Sequence, residues 1–183
     1  HFFGKKTYCQ KSSARDNWFL AIFTFGEGYH NFHHKFPADF RNGVSRYSFD
    51  PTKWLIQGLS FLKLSWKLKQ TPEWSILRAK FEVQYEKIST ALDKIPNEVQ
   101  KEMKPRLEIT KLELDQKIAS FKEQAEAFQK KFLKIKNDSE IEKNKLKHEF
   151  RLIVKQFKKD FDDLQLEYSA LIQQLKIKTQ LSA

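Results

Sequence analysis

The sequence predicts an all-α protein in two parts, and three observations carry that reading. From about residue 74 onward, apolar side chains recur at alternating spacings of four and three, the mark of helices packed along one seam. The composition shifts at Thr71-Pro72. Every glycine lies at or before Gly58 and every tryptophan at or before Trp74, after which Lys, Glu, Gln, Leu, Ile and Phe dominate. Helix-start signals recur, such as Asp50-Pro51, an N-cap aspartate followed by proline at the first helical position. The expected domains are 1–73, which carries the chemistry, and 74–183, a helical extension.

Residues 1–13 read as irregular. Ser13, with Asp16 three residues on, resembles a helix start, and a helix is expected from about Ala14 to His34. Its apolar residues (Trp18, Phe19, Leu20, Ala21, Ile22, Phe23 and Phe25) run nearly all round it. That predicts a buried helix, or one lying against a membrane domain. Gly26 and Gly28 allow either a kink or the close approach of another backbone or a metal centre. Pro37 ends the helix, and Asn42-Gly43 marks a turn. An amphipathic helix is expected over 51–69, with Trp54, Leu55, Leu59, Leu62 and Trp66 on one side. Tryptophans among lysines suit a membrane interface or ordinary core packing.

The extension contains three apolar runs. The first is Phe81, Tyr85, Ile88, Leu92, Ile95 and Val99. After Pro96 and Pro105 comes a second, from Leu114 through Ile118, Phe121, Ala125, Phe128 and Phe132 to Ile135. The third goes from Leu146 through Phe150, Ile153, Phe157, Phe161, Leu164, Tyr168 and Leu171 to Leu175. Asn137-Asp138-Ser139 with Glu142 forms a capping box, so the last two helices read as separate and antiparallel. Phenylalanine at many seam positions favours a helical hairpin or a loose oligomer over a tight parallel coiled coil.

The net charge of +11 suits an anionic partner. It is shared: residues 1–73 hold eleven Lys/Arg against five Asp/Glu, and 74–183 hold twenty-three against eighteen. The acidic residues dilute any basic stripe on the extension, so no nucleic-acid partner is expected. The single cysteine, Cys9, excludes an internal disulfide and a cysteine-rich zinc site, and a reducing setting is the default. There is no run of eighteen apolar residues to make a complete membrane span. The chain opens at His1 without an initiator methionine and reads as a fragment or a processed product.

Three of the five histidines stand together in Gly26-Glu27-Gly28-Tyr29-His30-Asn31-Phe32-His33-His34. Positions i, i+3 and i+4 share a helix face, so His30, His33 and His34 make a metal-ligand edge, the reading preferred over a polar surface cluster. Glu27, three residues before His30, suits ligation or acceptance of a ring N–H from a ligand. His-Glu-x-x-His is absent, so a zincin-type protease is not indicated, and nothing pairs Cys9 with a histidine. Tyr29, Phe32 and Phe25 offer an apolar wall or plain core packing. A second class of function fits the same residues: a coiled-coil interaction or scaffold protein whose histidines are incidental.

His30-Asn31-Phe32-His33-His34 has the His-x-x-His-His form of the third histidine box of membrane-bound fatty-acid desaturases. Asp16-Asn17-Trp18, the run from Gly26 to Asp39, Asp50-Pro51-Thr52-Lys53-Trp54 and the opening His1-Phe2-Phe3-Gly4 together resemble the C-terminal part of an acyl-CoA delta-9 (stearoyl-CoA-type) desaturase, of the bacterial kind. In that family a histidine before an aromatic-rich segment stands 29 residues ahead of the third box, as His1 stands ahead of His30. The resemblance covers about residues 1–80 and leaves the rest of the extension unaccounted for. One loop departs from it, where the family's Arg-Pro-Tyr-Asp reads Lys6-Thr7-Tyr8-Cys9.

The resemblance implies a helical cap of a membrane desaturase, with His1, His30, His33 and His34 as ligands to two non-haem iron ions (Fe2+). Glu27, Asn31 and Tyr29 would lie around them. It implies oxidoreductase chemistry in which O2 and electrons remove two hydrogens from a fatty acyl-CoA to leave a cis double bond. Cytochrome b5 or a ferredoxin-like carrier and its reductase would supply the electrons. The family's other histidine boxes, its asparagine ligand and its four membrane helices would lie upstream of His1. This segment would face the cytoplasm, and the fragment alone would be inactive.

Overall fold

A computed structural model describes residues 3–45, 47–134 and 140–181. Among these residues are six helices and no strand, only isolated bridges joining Lys5 to Asp16 and Asp16 to Tyr29, so the all-α expectation holds. The chain divides into two compact units, His1–Lys87 and Ile88–Ala183. No helix among the described residues is long and apolar enough to cross a membrane.

The first unit departs from the single helix expected over 14–34. Two short helices stand there instead, α1 (Trp18–Phe23) and α2 (His30–Lys35). The N-cap of α1 is Asn17, whose Oδ1 accepts from the Phe19 and Leu20 N–H groups (3.0 and 3.1 Å). The helix ends where Phe25 and Gly26 take positive φ (52° and 103°) and the Gly26 N–H returns to Ala21 O (2.9 Å), a Schellman closure. Gly28 then passes so close to α1 that a Cβ there would lie 2.5 Å from Asn17 O. The two glycines therefore act as a break and a close approach together, and the chain restarts its helix at the histidines.

The apolar periphery of α1 is not buried within this chain. Only Ala21 is covered, while Trp18 and Phe23 are each 68% exposed and Phe25 is 67% exposed.

Helix α3 (Pro51–Phe61) begins as its sequence requires, with the fully buried Asp50 accepting from the Lys53 N–H through Oδ1 (2.9 Å). The other oxygen accepts from the Asn42 and Gly43 N–H groups (2.8 and 2.9 Å), so one carboxylate fixes both the turn and the helix start. The helix stops eight residues short of the expected 69. Lys63 adopts φ 59°, and the Lys63 and Leu64 N–H groups cap Ser60 O and Leu59 O. This is again a Schellman end, here with lysine in the left-handed position. Trp54, Leu55, Leu62 and Trp66 remain exposed.

The segment after α3 is tied back through Asp39. Its carboxylate takes a two-pronged ion pair from Arg41 (2.9 and 2.8 Å) and the Thr71 N–H (2.7 Å), while the Phe40 N–H donates to Lys69 O (3.0 Å). Helix α4 (Glu73–Leu92) follows, and the boundary between the units falls within it, after Lys87.

The second unit is built on α5 (Asn97–Lys134) and α6 (Glu140–Leu181), which pack against each other. Their pairs run Arg106 with Gln174, Lys117 with Asp160, Phe121 with Phe157 and Phe128 with Phe150, an antiparallel order. The expected seam is present: Leu114, Ile118, Phe121, Phe157, Phe161, Leu164, Tyr168, Leu171 and Leu175 are buried. Met103, Leu107 and the buried Thr110 extend it, and α5 runs straight through Pro105. Phenylalanine suits this seam because the rings stack, with centroids 4.3 Å apart at Phe121–Phe157 and 4.2 Å at Phe128–Phe150. The capping box at Asn137-Asp138-Ser139 and Ile135 lie outside the described residues.

Two measurements test these packing arguments. Phe157→Ala leaves a ring-sized void opposite Phe121 and should cost about 3 kcal/mol, read as a lower urea midpoint of the helical circular-dichroism signal. For Asp39, burial raises the carboxyl pKa, but Arg41 and the Thr71 N–H outweigh it and hold the group below its ordinary 3.8. The folded protein therefore binds this proton more weakly than the unfolded chain does. The stabilisation is full above pH 3.8 and is lost as pH falls through the lower folded value. Urea titrations across that acid range should show a shallower pH dependence in Asp39→Asn than in the parent chain.

Candidate metal centre

The histidine helix has only six residues, too few to hold itself together, so its place depends on tertiary ties. Asp16 supplies the first. Its Oδ1 accepts from the Asn31 and Phe32 N–H groups (2.9 and 3.2 Å), capping the first turn of α2 from a distant part of the chain. The sequence suggested Asp16 as part of its own helix start, and the structure assigns it to the histidine helix instead. Burial raises the Asp16 pKa, and those same two N–H groups oppose the rise.

Asn31 supplies the second tie. The side chain is fully buried, and its Oδ1 accepts from the Tyr8 and Cys9 N–H groups (2.7 and 3.1 Å). Its Nδ2 donates to Cys9 O and Ala14 O (2.9 and 3.0 Å). The amide thus bonds the 8–14 loop on both sides. Phe32, 1% exposed, packs edge-on to Tyr8 (5.2 Å) and against Phe36. Burial and the Asp16 charge push the Tyr8 phenol up to about 12, so its ring acts as a neutral packing surface.

With Asn31 and Phe32 turned inward, the other face of α2 presents the imidazoles. His30 Nε2 and His34 Nε2 stand 2.9 Å apart. The His33 ring centroid lies 6.3 Å from each of the other two. Burial, then the His34 ring, lowers the His30 pKa, which favours the neutral form that ligates metals. Metal–imidazole bonds are about 2.0–2.1 Å, so two nitrogens at right angles on one ion stand about 3 Å apart. In this structure one of the two rings donates its Nε2–H to the other; with that proton on Nδ1 instead, the same separation would suit two ligands on one ion. Among the described residues, no group of three or more His, Cys, Asp or Glu side chains is arranged to hold a metal ion. The histidines form an open edge rather than a closed cage.

The remaining candidates take other places. Glu27 Oε1 accepts from Asn42 Nδ2 (2.9 Å), which ties the turn before α2 to the turn before α3. Tyr29 is the residue before α2, and its ring lies over Gly43, where a Cβ would come within 3.0 Å of it. His1 lies outside the described residues. The sequence reading missed the roles of Asp16, Tyr8 and the Asp39–Arg41 pair. The spacing of Asp16 suggests a helix start of its own and Asp39 a carboxylate beside the histidines, and neither of their actual contacts leaves a periodic trace.

Comparison with known proteins points to the class first: the relatives found are fatty-acyl desaturases. They include "Acyl-CoA desaturase 1" of Saccharomyces cerevisiae, 42% identical over 95 residues, which are 52% of this chain and 19% of that protein. "sn-2 palmitoyl-lipid 9-desaturase" of Nostoc is 38% identical over 72 residues, 39% of this chain and 25% of its own length. "Stearoyl-CoA desaturase 5" of Homo sapiens is 37% identical over 65 residues, 36% of this chain and 20% of its own. The chain thus spans between about a seventh and a quarter of the curated relatives it matches. Part of this chain is therefore similar, at 34–42% identity, to proteins named as acyl-CoA and related fatty-acyl desaturases, the family that its motifs resemble. No family model matches the chain, and no solved structure does.

The Asn31 network gives a direct test. Asn31→Ala strands two buried N–H donors and should cost about 3 kcal/mol. It should also speed hydrogen exchange at the Tyr8 and Cys9 amides before the extension unfolds. Unchanged exchange there would show that the amide does not hold the loop.

Proposed function

We propose that residues 1–73 are the C-terminal part of a di-iron fatty acyl-CoA desaturase and that 74–183 are a helical extension added to it. The parent enzyme is an oxidoreductase that introduces a cis double bond into a saturated acyl chain. It uses O2 and electrons from a cytochrome b5 or ferredoxin-like carrier and its reductase. The observation that carries this reading is the His30–His34 pair, 2.9 Å apart on a helix whose other face is pinned by Asn31 and Asp16. The relatives' names support the desaturase part of it.

In this reading His30, His33 and His34, with His1, supply part of the ligand set for two non-haem irons, and upstream residues complete it. Bound iron would supply the oxygen-activating chemistry. This chain's residues orient the imidazoles: Asp16 fixes the first turn of α2, and Asn31 locks that helix to the 8–14 loop. The uncovered apolar side chains of α1 and α3 supply a surface for a multi-pass membrane part of the same protein, with this segment on the cytoplasmic side. Exposed Ile109, Leu112, Leu152 and Leu166 on the extension favour self-association there.

A host lacking its own delta-9 desaturase separates the claims. The full-length gene should restore monounsaturated fatty acids. His30→Ala or His34→Ala in that gene should abolish them and lower the iron content of the purified enzyme. The 183-residue chain alone should restore nothing. New monounsaturates from the chain alone, or full activity and iron content in His30→Ala, would overturn the proposal.

A further inference from the structure

A cleft of about 570 Å³ opens between the 4–15 loop and α4, within the size range of small-molecule sites. The loop contributes Lys5, Lys6 and Arg15 to its lining, and α4 contributes Lys80 and Lys87, two turns apart on one helix stripe. No carboxylate lines it, and no carboxylate among the described residues pairs with any of the five cations. Their visible partners are backbone oxygens and a ring. Lys6 Nζ donates to Gln10 O (2.8 Å), Arg15 Nη1 donates to Gly4 O (3.2 Å), and Lys80 Nζ lies 5.7 Å from the centre of the Tyr8 ring. Gln10, also in the lining, has an amide nitrogen without a hydrogen-bond partner.

We infer that this cleft binds a phosphate ester. Five cations line one cleft with no carboxylate among its lining residues, and one carboxylate would neutralise only one of them. A phosphate monoester brings close to two charges and three acceptor oxygens, which suits ammonium and guanidinium donors together. The same chemistry occurs in a soluble phosphorylated molecule and in a phospholipid headgroup. No histidine lines the cleft, so this site and the metal edge stand or fall separately.

Calorimetric titration of the full chain with inorganic pyrophosphate tests the first source. Co-sedimentation with phosphatidylcholine vesicles, with and without phosphatidic acid, tests the second. The variant Lys80→Gln/Lys87→Gln should weaken binding about tenfold in whichever assay shows it. Lys147→Gln/Lys155→Gln removes the same charge from exposed positions on α6 and should leave it unchanged. Lys80→Arg/Lys87→Arg should retain binding, which separates loss of charge from loss of fold. Binding to pyrophosphate identifies a soluble ligand, and binding only to phosphatidic-acid vesicles identifies a headgroup. Equal weakening by the two glutamine pairs, binding insensitive to Lys80 and Lys87, or no binding in either assay would overturn the site.

Discussion

The side chain of Asn31 bonds four backbone groups of the 8–14 loop from a fully buried position, and the first unit depends on that contact. A six-residue helix gains little from its own hydrogen bonds, because nucleation consumes most of what one or two turns return. Its orientation must come from elsewhere. Asn31 and Phe32 point one way into the unit, and the histidines are thereby obliged to point the other way. The two residues between His30 and His33 in the motif are thus the grip by which the protein holds the histidine face.

The same logic accounts for what the sequence conceals. Apolar residues from Trp18 to Phe25 look like one buried helix when counted by period. The periodicity carries no information about Phe25 and Gly26 turning left-handed and ending α1 after six residues. Lys63 ends α3 the same way, with no glycine to announce it. Hydrophobicity also misleads about burial here. The rings of α1 and α3 are apolar yet exposed among the described residues, so apolar content alone does not place a residue in a core.

The extension was legible for the opposite reason. Its packing repeats, so each buried position predicts the next, and the run from Phe157 to Leu175 appears in the structure as read. The caps and ion pairs of the first unit do not repeat. Asp50 could be read as a cap because its partner, Lys53, is three residues away. Asp16 could not, because its partners are fifteen and sixteen residues on. The histidine trio was visible for its residue types and spacing, whereas the convergence of His30 with His34, and not with His33, belongs to ring orientation alone.

One loop joins the two features that carry chemistry. Between Gly4 and Arg15 the chain gives the Tyr8 and Cys9 backbone to Asn31 and the side chains of Lys5, Lys6 and Arg15 to the basic cleft. Tyr8 sits at the junction, with Phe32 against its ring edge and Lys80 over its face. Fixing the loop on one side limits how far the cations on the other can spread from their mutual repulsion. The hydrogen bonds that aim the histidines therefore also help to keep the cleft assembled. Because linkage is reciprocal, an anion that draws the cations together would favour the loop position in which Asn31 makes all four bonds.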